Sequence, residues 1–352
     1  MPSLLPEGEP VPADGALPVG VRAEVGSRPF SVYVHVPYCA SRCGYCDFNT
    51  YTAAELGGGA SQASYARDAV TEIALARRVL DGAQLPVSTV FFGGGTPTLL
   101  PVTDLATIVE AIDERFGLTP AAEITIEANP ESVDASTLAA LRSAGFNRIS
   151  FGMQSARPHV LAVLDCRHTP GAPQLRVAQA KAAGFEHVSL DLIYGTPGES
   201  DADWQASLDA AIAAEPDHIS AYSLIVEDGT RLARQIARRE LAAPDDDTLA
   251  DRYLIADETL GAAGYAWYEV SNWARAGGQC RHNLAYWCGD DWWGIGPGAH
   301  SHVGRLRWWN VKHPTAYASR LASGTSPGHA REYLVIETQR TERVMLELRL
   351  SR

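Results

Sequence analysis

The strongest constraint on the fold is a repeat of short apolar runs, each followed by a segment with helical spacing of its apolar residues. Apolar residues that recur every three or four positions are typical of amphipathic helices. The predicted strands cover residues 32–36, 87–92, 123–128, 147–151, 187–193 and 218–224. Strands that alternate with helices in this way pair in parallel through right-handed crossovers.

Six such units predict an α/β protein whose core is a partial (β/α)6 TIM-like barrel over residues 30–240. Ligand sites in folds of this kind lie at the carboxyl ends of the strands. From residue 241 the pattern changes to a long helix and then to a stretch rich in tryptophan and tyrosine. Residues 241–352 are therefore expected to form an aromatic-rich α+β extension. Its last segment, 332–352, has a helical pattern and is expected to be a truncated helical end.

Residues 1–29 are rich in proline and glycine and are expected to be a disordered lead-in. They lack the basic start and apolar stretch of a signal peptide. No apolar run in the sequence approaches the length that crosses a membrane, so no membrane span is expected. The chain has six cysteines, three of them in one loop, which fits a cytoplasmic location.

The charge balance bears on the class of partner. Acidic residues outnumber basic ones, 42 to 29, and the net charge is −13. Proteins that bind nucleic acids usually carry a basic patch, and the sequence contains no dense block of lysine and arginine. A nucleic-acid partner is therefore not expected.

A loop directly after the first predicted strand carries Cys39, Cys43 and Cys46 in the spacing C-x3-C-x2-C. Iron–sulfur clusters are held by cysteine thiolates on short loops of this kind, and three thiolates leave one iron open. Structural zinc sites usually show two paired units of ligands, and no second unit follows here. A 4Fe–4S cluster is favoured, while zinc and a disulfide with one spare cysteine remain open alternatives.

The sequence around these cysteines resembles the radical S-adenosylmethionine (SAM) superfamily. The segments YVHVPYC, CDFNTY, GGGTPT, EANPE, FGMQS and DLIYGTPGE occur in the order typical of one branch. That branch contains oxygen-independent coproporphyrinogen III oxidases and heme chaperones. The resemblance implies that SAM chelates the open iron. One electron from the cluster then breaks a sulfur–carbon bond and releases a 5′-deoxyadenosyl radical.

The resemblance also implies which residues contact SAM. The expected contacts are Tyr33, Tyr45, Gly94, Gly95, Thr96, Glu127, Gln154 and Asp191. Glycines allow a ligand to approach the backbone closely, although the glycine run can also be an ordinary turn that ends a strand. The carboxylates also fit a surface role, and Tyr33 also fits a core aromatic position.

One position departs from the pattern of the family. An arginine of the family falls on Cys166 in this chain, and arginine can hold a carboxylate with two hydrogen bonds whereas a thiol cannot. The neighbouring Arg167 would compensate only by a shift of register. We expect a lower affinity for SAM, with Cys166 itself a small buried side chain.

Two features favour the heme-chaperone side of the branch. The oxidases carry a fourth cysteine in the cluster loop, and Phe48 occupies that position here. Residues 281–287 read RHNLAYW, which resembles the H-N-x-x-Y-W pattern of the chaperones. Imidazole is a common axial ligand of heme iron, so His282 is the expected heme ligand, with Tyr286 and Trp287 packed on the porphyrin. A buried core histidine is the alternative, and His300 and His302 are the next candidates.

The resemblance thus implies a heme chaperone with heme, an acceptor hemoprotein, and an electron donor such as flavodoxin or ferredoxin as its partners. Two alternatives remain open. One is an oxygen-independent coproporphyrinogen III oxidase. The other is a radical SAM enzyme that acts on an unrelated small molecule.

Overall fold

The computed structural model describes residues 7–56, 62–166 and 168–351. Its strands are β1 (Glu9–Pro10), β2 (Phe30–Val36), β3 (Val87–Gly94), β4 (Leu118–Ala128), β5 (Arg148–Gln154), β6 (His187–Tyr194), β7 (His218–Ser223), β8 (Ala266–Glu269), β9 (Asn272–Ala274), β10 (Asp291–Ile295), β11 (His300–Val303), β12 (Leu306–Asn310) and β13 (Gly328–Tyr333). Its helices are α1 (Val19–Arg22), α2 (Ala53–Leu56), α3 (Gln62–Val79), α4 (Val102–Phe116), α5 (Ala135–Ser143), α6 (Pro158–Leu164), α7 (Ala172–Ala182), α8 (Asp201–Ala213), α9 (Arg231–Ala237), α10 (Asp246–Ala262), α11 (Arg281–Cys288), α12 (Pro314–Ala322) and α13 (Ile336–Glu347). None of these helices is long and apolar enough to cross a membrane.

Strands β2 to β7 lie side by side in chain order, and each pair is parallel. Helices connect each strand to the next, as the alternating pattern predicts. The outer neighbours of β2 and β7 are β10 and β9, so the described strands form an open sheet rather than a hydrogen-bonded ring. The predicted α/β class with a partial six-unit barrel is confirmed.

The two faces of this parallel sheet differ in chemistry. Val34, Phe92 and Ile126 are fully buried on the face that the helices cover, and Phe92 meets Phe146 with their ring centroids 5.1 Å apart. Alternate residues point to the opposite face, because side chains alternate along a strand. That face carries Ser31, Tyr33, His35, Thr89, Glu123, Glu127, Arg148, Ser150, Asp191 and His218. The inside of the partial barrel is therefore polar, and this polarity is what allows it to hold a site.

The C-terminal extension adds strands to both edges of the same sheet. Strand β10 pairs in parallel with β2, and β11, β12 and β13 continue from it as an antiparallel meander. At the other edge, β9 pairs with β7 and β8 with β9, both antiparallel. The predicted α+β character of the extension is confirmed. The division of the chain at residue 240 stays a prediction.

The end of the chain contains a strand that its helical pattern does not predict. The expected helix over 332–352 overlaps β13, which runs to Tyr333 because its residues pair with β12. The helix α13 spans only Ile336–Glu347 and contains no buried residue.

The expected disorder of residues 1–29 does not hold for residues 7–29, which are ordered. Strand β1 pairs with β13. Leu17 and Val21 are buried in the main apolar core, and this burial gives a proline-rich segment a fixed path. Residues 1–6 lie outside the described part of the chain.

Candidate functional site

The three-cysteine loop starts where β2 ends, at the carboxyl edge of the parallel sheet. Its start is fixed by a hydrogen bond of 3.0 Å from the Cys39 amide to the Tyr51 carbonyl. A second bond, 3.3 Å long, runs from the Cys46 amide to the carbonyl of Cys43 and closes a tight turn between them. All three cysteines are half-buried, and these hydrogen bonds fix the backbone of the loop that carries their sulfur atoms.

The glycine loop after β3 packs directly against the cysteine loop. The amides of Gly95 and Thr96 donate to the carbonyls of Val36 and Tyr38 at 2.8 and 2.7 Å. A Cβ atom added to Gly95 would lie 2.4 Å from the Tyr38 carbonyl oxygen and 3.0 Å from the sulfur of Cys39. Only glycine fits here, because any larger residue would push the two loops apart.

Burial and one hydrogen bond shift the pKa values of these thiols in opposite directions. It raises the pKa of Cys39, and it raises the pKa of Cys46 to about 11. The pKa of Cys43 is lowered, chiefly because the Cys166 thiol donates a hydrogen bond to its sulfur. Metal ligation requires thiolates, so binding of iron at this loop would release protons.

The donor set suits a cluster of several irons. Within the described residues, no three His, Cys, Asp or Glu side chains converge closely enough to hold one metal ion. An iron–sulfur cluster does not need such convergence, because its thiolates bind separate irons. Three half-buried cysteines on one constrained loop, backed by Gly95, therefore fit a cluster better than a single zinc ion.

Two carboxylates lie inside the barrel close to the glycine loop. The Gly94 amide donates to the Glu127 carboxylate at 3.2 Å, and the Ser150 hydroxyl lies 2.9 and 3.0 Å from the two carboxylate oxygens of Asp191. Burial raises the pKa of Glu127 to about 8, and the charge of Asp191 contributes to that shift. Burial also raises the pKa of Asp191. A cationic ligand between them would relieve both effects.

Tyr33 and Gln154 complete the inner wall of this region. The Tyr33 hydroxyl lies 3.0 Å from Nδ1 of His35, and its ring stacks on Phe91 at 6.3 Å. Gln154 has a φ of 54°, in the left-handed region that non-glycine residues rarely adopt. Backbone strain of this kind occurs often at ligand sites.

Tyr45 does not lie in the inner wall with Tyr33 and Gln154. It packs with Cys43 against an apolar cluster built from α6 and its neighbours, on the cysteine side of the site. Burial raises the pKa of Tyr45, with Cys166 and Cys43 as the next contributors. The structure thus places Tyr33, Gly94, Glu127 and Asp191 in one region, and it places Tyr45 beside Cys166.

Cys166 is in contact with the cysteine loop. Its sulfur lies 2.8 Å from the sulfur of Cys43, although the two residues are 123 positions apart in the sequence. Cys166 is buried, as the sequence predicts, but its partner was not predictable from spacing. Arg167, which the sequence offers as a substitute for the family arginine, lies outside the described residues.

His282 lies at the opposite, amino-terminal end of the barrel strands. Its Nδ1 is 2.7 Å from the Thr89 hydroxyl, and its Nε2 is 3.0 Å from the Tyr286 hydroxyl. The residue is 1% exposed, and burial lowers the pKa of its imidazole to about 3. In this structure His282 is a neutral buried histidine with both nitrogens hydrogen-bonded.

A buried ion pair anchors the start of α11 at the same end of the barrel. Glu123 lies 3.6 Å from Arg148 and accepts a hydrogen bond of 3.1 Å from the His282 amide. Arg148 also donates to the Gly278 carbonyl at 2.9 Å. Sequence patterns did not single out this pair, although a charged residue at an inward position of a strand is a signal that identifies such pairs.

The other candidate residues lie on α11 itself and on β11. Tyr286 packs edge-on to Trp292 at 4.6 Å, and the guanidinium of Arg349 lies 5.7 Å from the centre of the Trp287 ring. His300 is exposed, with its ring 5.7 Å from that of Trp309. His302 is 8% exposed, and its Nδ1 lies 3.2 Å from the Asp290 carbonyl oxygen. Of the three candidate histidines, His300 is the most accessible.

Comparison with known proteins decides the family. A family model described as the Radical SAM superfamily matches residues 33–211, which include all three cysteines of the loop and both inner carboxylates. This chain belongs to the radical SAM superfamily. The motifs that the sequence analysis used for the resemblance lie largely within the matched range.

Within the radical SAM superfamily, curated relatives identify the branch. The heme chaperone HemW of Mycobacterium tuberculosis is 54% identical over 328 residues, which cover 93% of this chain and 83% of that protein. The heme chaperone HemW of Escherichia coli is 37% identical over 294 residues, covering 82% of this chain and 75% of that protein. The chain is therefore a member of the HemW-like family of radical SAM proteins.

A solved structure shares the fold. Coproporphyrinogen III oxidase (HemN) from Escherichia coli, a radical SAM enzyme, matches with a TM-score of 0.82 and 24% identity, covering 94% of this chain and 78% of that one. A likeness at this level of identity extends to the architecture and not to the reaction.

Proposed function

We propose that this protein is a heme chaperone, which binds heme and transfers it to an acceptor hemoprotein. The observation that carries the proposal is the 54% identity to the heme chaperone HemW of Mycobacterium tuberculosis over 93% of this chain. Function depends on sites rather than on folds, so identity that extends through the site weighs more than structural likeness.

We propose further that Cys39, Cys43 and Cys46 hold a 4Fe–4S cluster and that SAM binds beside it. When bound, such a cluster supplies single electrons at low potential. The proposed SAM contacts are Tyr33, Tyr45, Gly94, Gly95, Thr96, Glu127, Gln154 and Asp191. An electron donor such as flavodoxin or ferredoxin belongs to the same proposal.

The chain's own residues explain how this region would bind SAM. Glu127 and Asp191 are two buried carboxylates with raised pKa values, and a ligand with an ammonium or sulfonium group would stabilise their charged forms. Gly94 and Gly95 leave the backbone of the glycine loop without side chains, so a ligand can approach it closely. The polar inner face of the barrel supplies further hydrogen-bonding groups around the two carboxylates and the glycine loop.

Phe48 supports the chaperone over the oxidase. Its side chain is 59% exposed, at the position where the oxidases have a fourth cysteine. A phenyl ring cannot replace a thiol as a metal ligand or as a redox group. The loop of this chain therefore lacks the cysteine that the oxidase pattern includes.

We propose His282 as the heme ligand, with one condition that the structure adds. Both nitrogens of His282 already have protein partners, so axial ligation requires that its hydrogen bond to Tyr286 or Thr89 breaks. His300 is the alternative ligand, because it is exposed and stacks on Trp309. A cytoplasmic location also belongs to the proposal, since none of the six cysteines, all of them described, forms a disulfide.

The test uses protein whose cluster has been reconstituted without oxygen. Heme is titrated into it and followed by its Soret absorption, and a stoichiometric complex is expected. The same protein is then incubated with SAM, a reductant and coproporphyrinogen III, and no protoporphyrinogen IX is expected. Efficient decarboxylation in that assay, or failure to bind heme, would overturn the proposal.

A further inference from the structure

Cys43 and Cys166 form the closest pair of thiols that the described residues show. Their sulfur atoms are 2.8 Å apart, and the Cys166 thiol donates toward Cys43. No other cysteine of the chain makes such a contact with Cys166: Cys280 lies beside Glu123, and Cys288 is on the exposed side of α11. The two side chains therefore already face each other, which is the first requirement for a disulfide.

Backbone contacts hold the two thiols in this position. The Gly44 amide donates to the Leu164 carbonyl at 2.9 Å, and the Leu232 amide donates to the Gly44 carbonyl at 2.9 Å. A Cβ atom added to Gly44 would lie 3.3 Å from Cβ of Asp165. The residue just after Cys43 is thus in direct contact with the residues just before Cys166, so a bond between the two sulfurs needs only a small movement.

A cleft lies on the Cys166 side of this pair. It has a volume of about 390 Å³ and is lined by Cys166 together with Asp165, His168 and Gln174, with apolar residues of α6 and α7 around them. That volume lies in the range that accommodates small ligands. The cleft thus brings small molecules next to Cys166, while Cys43 is half-buried on the cysteine loop.

We propose that Cys43 and Cys166 are a redox modification site, which forms a reversible disulfide when no cluster is bound, with a glutathione-type small-molecule disulfide as the oxidant. Cys43 is the less buried of the two and accepts the hydrogen bond from the Cys166 thiol, so its thiolate attacks one sulfur of the oxidant, forming a mixed disulfide and releasing one small thiol. Cys166, 2.8 Å away, gives up its proton and attacks the Cys43 sulfur, forming the protein disulfide and releasing the second small thiol. Two protein thiols lose two electrons and two protons, and the oxidant gains them.

The disulfide would have a direct consequence for the cluster. Cys43 is one of the three proposed ligands, so its oxidation leaves the loop with two available thiolates. This consequence rests on the proposed cluster assignment, whereas the disulfide itself does not. The pair would then act as a reversible block on cluster loading under oxidising conditions, and a reducing environment would release it.

The experiment begins with protein stripped of iron by a chelator without oxygen. The sample is treated with glutathione disulfide, its remaining thiols are alkylated, and tryptic peptides are mapped by mass spectrometry. We expect a peptide pair joined through Cys43 and Cys166 as the main cross-link, with loss of two of the six thiols. A main cross-link between Cys43 and Cys39 or Cys46, or no cross-link in folded protein, would overturn the proposal.

Variants separate the pair from general oxidation. Cys166→Ser keeps the size of the side chain but cannot form the bond, and Cys288→Ala removes an exposed cysteine far along the chain. Oxidised wild type and Cys288→Ala should take up iron and sulfide only after dithiothreitol is added. Oxidised Cys166→Ser should take them up without it. Equal inhibition of all three would contradict the proposed block.

The proposed function fails separately. If the Cys43–Cys166 disulfide forms but reduced protein neither takes up a cluster nor binds heme, the modification site stands and the chaperone proposal falls. If reduced protein loads its cluster and binds heme while no Cys43–Cys166 disulfide is found, the chaperone proposal stands and the modification site falls.

Discussion

Gly95 and Cys39 show how little space separates the two loops of the site. The glycine lies against the Tyr38 carbonyl and the Cys39 sulfur at distances that exclude a Cβ atom. Glycine is therefore required here for its lack of a side chain, independently of any role in ligand contact. The sequence motif predicts a binding role for this loop, and the structure adds a packing role that is sufficient to explain Gly95.

Gly95→Ala is expected to disrupt the cysteine loop. The added methyl group would lie 2.4 Å from the Tyr38 carbonyl oxygen, so the backbone of one loop must move. Overpacking of this kind costs about 1–3 kcal/mol. Iron and sulfide content after anaerobic reconstitution should fall strongly, and the melting temperature should drop.

Gly261→Ala is the matched control. Gly261 is in α10, and no atom lies within 4 Å of the position that an added Cβ would occupy. Alanine is favoured over glycine in helices by about 0.5–1 kcal/mol. This variant should keep its full cluster content, and full cluster content in Gly95→Ala as well would disprove the packing argument.

Glu127 gives the stability of the protein a pH dependence. Burial raises its pKa in the folded protein to about 8, from an ordinary value of 4.5. The folded state therefore binds a proton more tightly than the unfolded state. The associated stability is fully present below about pH 4.5 and is lost as the pH rises through about 8.

Glu127→Gln should remove this loss of stability at high pH. Relative to wild type, the variant should gain stability as the pH rises across that window, by at most a few kcal/mol, since one pKa unit corresponds to about 1.4 kcal/mol. Thermal unfolding of cluster-free protein at several pH values measures the difference. Glu258→Gln changes an exposed carboxylate on α10 and should leave the pH profile unchanged. Parallel profiles for wild type and Glu127→Gln would refute the assignment.

At the scale of elements, the repeating units were predictable because their signal is local. Each strand from β3 to β7 has an apolar outer face that is buried, as Phe92 is against Phe146 in the loop between α5 and β5. The predicted ends of these strands differ from the observed ones by a few residues, since pairing partners decide where a strand stops.

The C-terminal strands were not predictable in the same way. Strand β10 contains Trp292 and Trp293, and it becomes a strand by pairing with β2, which lies far away in the sequence. The contact between Cys43 and Cys166 and the contact between His282 and Thr89 are also long-range. A motif fixes which residue types occur together in a chain, but only the fold decides which of them meet.

The position of α11 leads to a test of the proposed heme ligand. If Nε2 of His282 binds heme iron, its hydrogen bond to the Tyr286 hydroxyl must break. Tyr286→Phe removes that competing partner, so heme affinity should rise by the net contribution of one hydrogen bond, about 0.5–1.5 kcal/mol. His282→Ala should weaken heme binding and shift the Soret band. Absorption titrations measure both effects.

Two further variants complete that test. His300→Ala examines the alternative ligand, and His329→Ala changes an exposed histidine on β13 that has no part in the proposal. Wild-type heme binding by His282→Ala, together with loss of binding by His300→Ala, would move the ligand to His300. His329→Ala should bind heme as wild type does.

At the scale of the whole molecule, the two predicted regions share one sheet. Strand β2, which leads into the cysteine loop, lies between β3 of the barrel and β10 of the extension. The buried Arg148 reaches Gly278 in the extension, and Glu123 accepts from the amide of His282. The extension thus supplies both a strand for the edge of the barrel and hydrogen-bond partners for its buried charges.

This arrangement predicts different outcomes for two truncations. The fragment 1–240 would leave the apolar β2 without its β10 neighbour, and exposed edge strands of this kind promote aggregation. It would also leave Glu123 and Arg148 without their partners from α11 and the preceding loop. The fragment 1–334 removes α13 and the short segment after it, which adds one backbone hydrogen bond from Ser351 to the Tyr268 carbonyl and the contact of Arg349 with Trp287. The helix α13 contributes no buried residue, and its ion pairs are at least partly exposed, each contributing about 0–1 kcal/mol.

We therefore expect the fragment 1–334 to stay monodisperse, to unfold in one cooperative transition and to take up its cluster as the full chain does. The fragment 1–240 should aggregate or lack a cooperative transition in circular dichroism and calorimetry. The reason is that the edge of β2 and the buried charges of Glu123 and Arg148 are then exposed. A fragment 1–240 that unfolds cooperatively and takes up iron would show that residues 30–240 are an independent domain, and that the continuous sheet is not needed for folding.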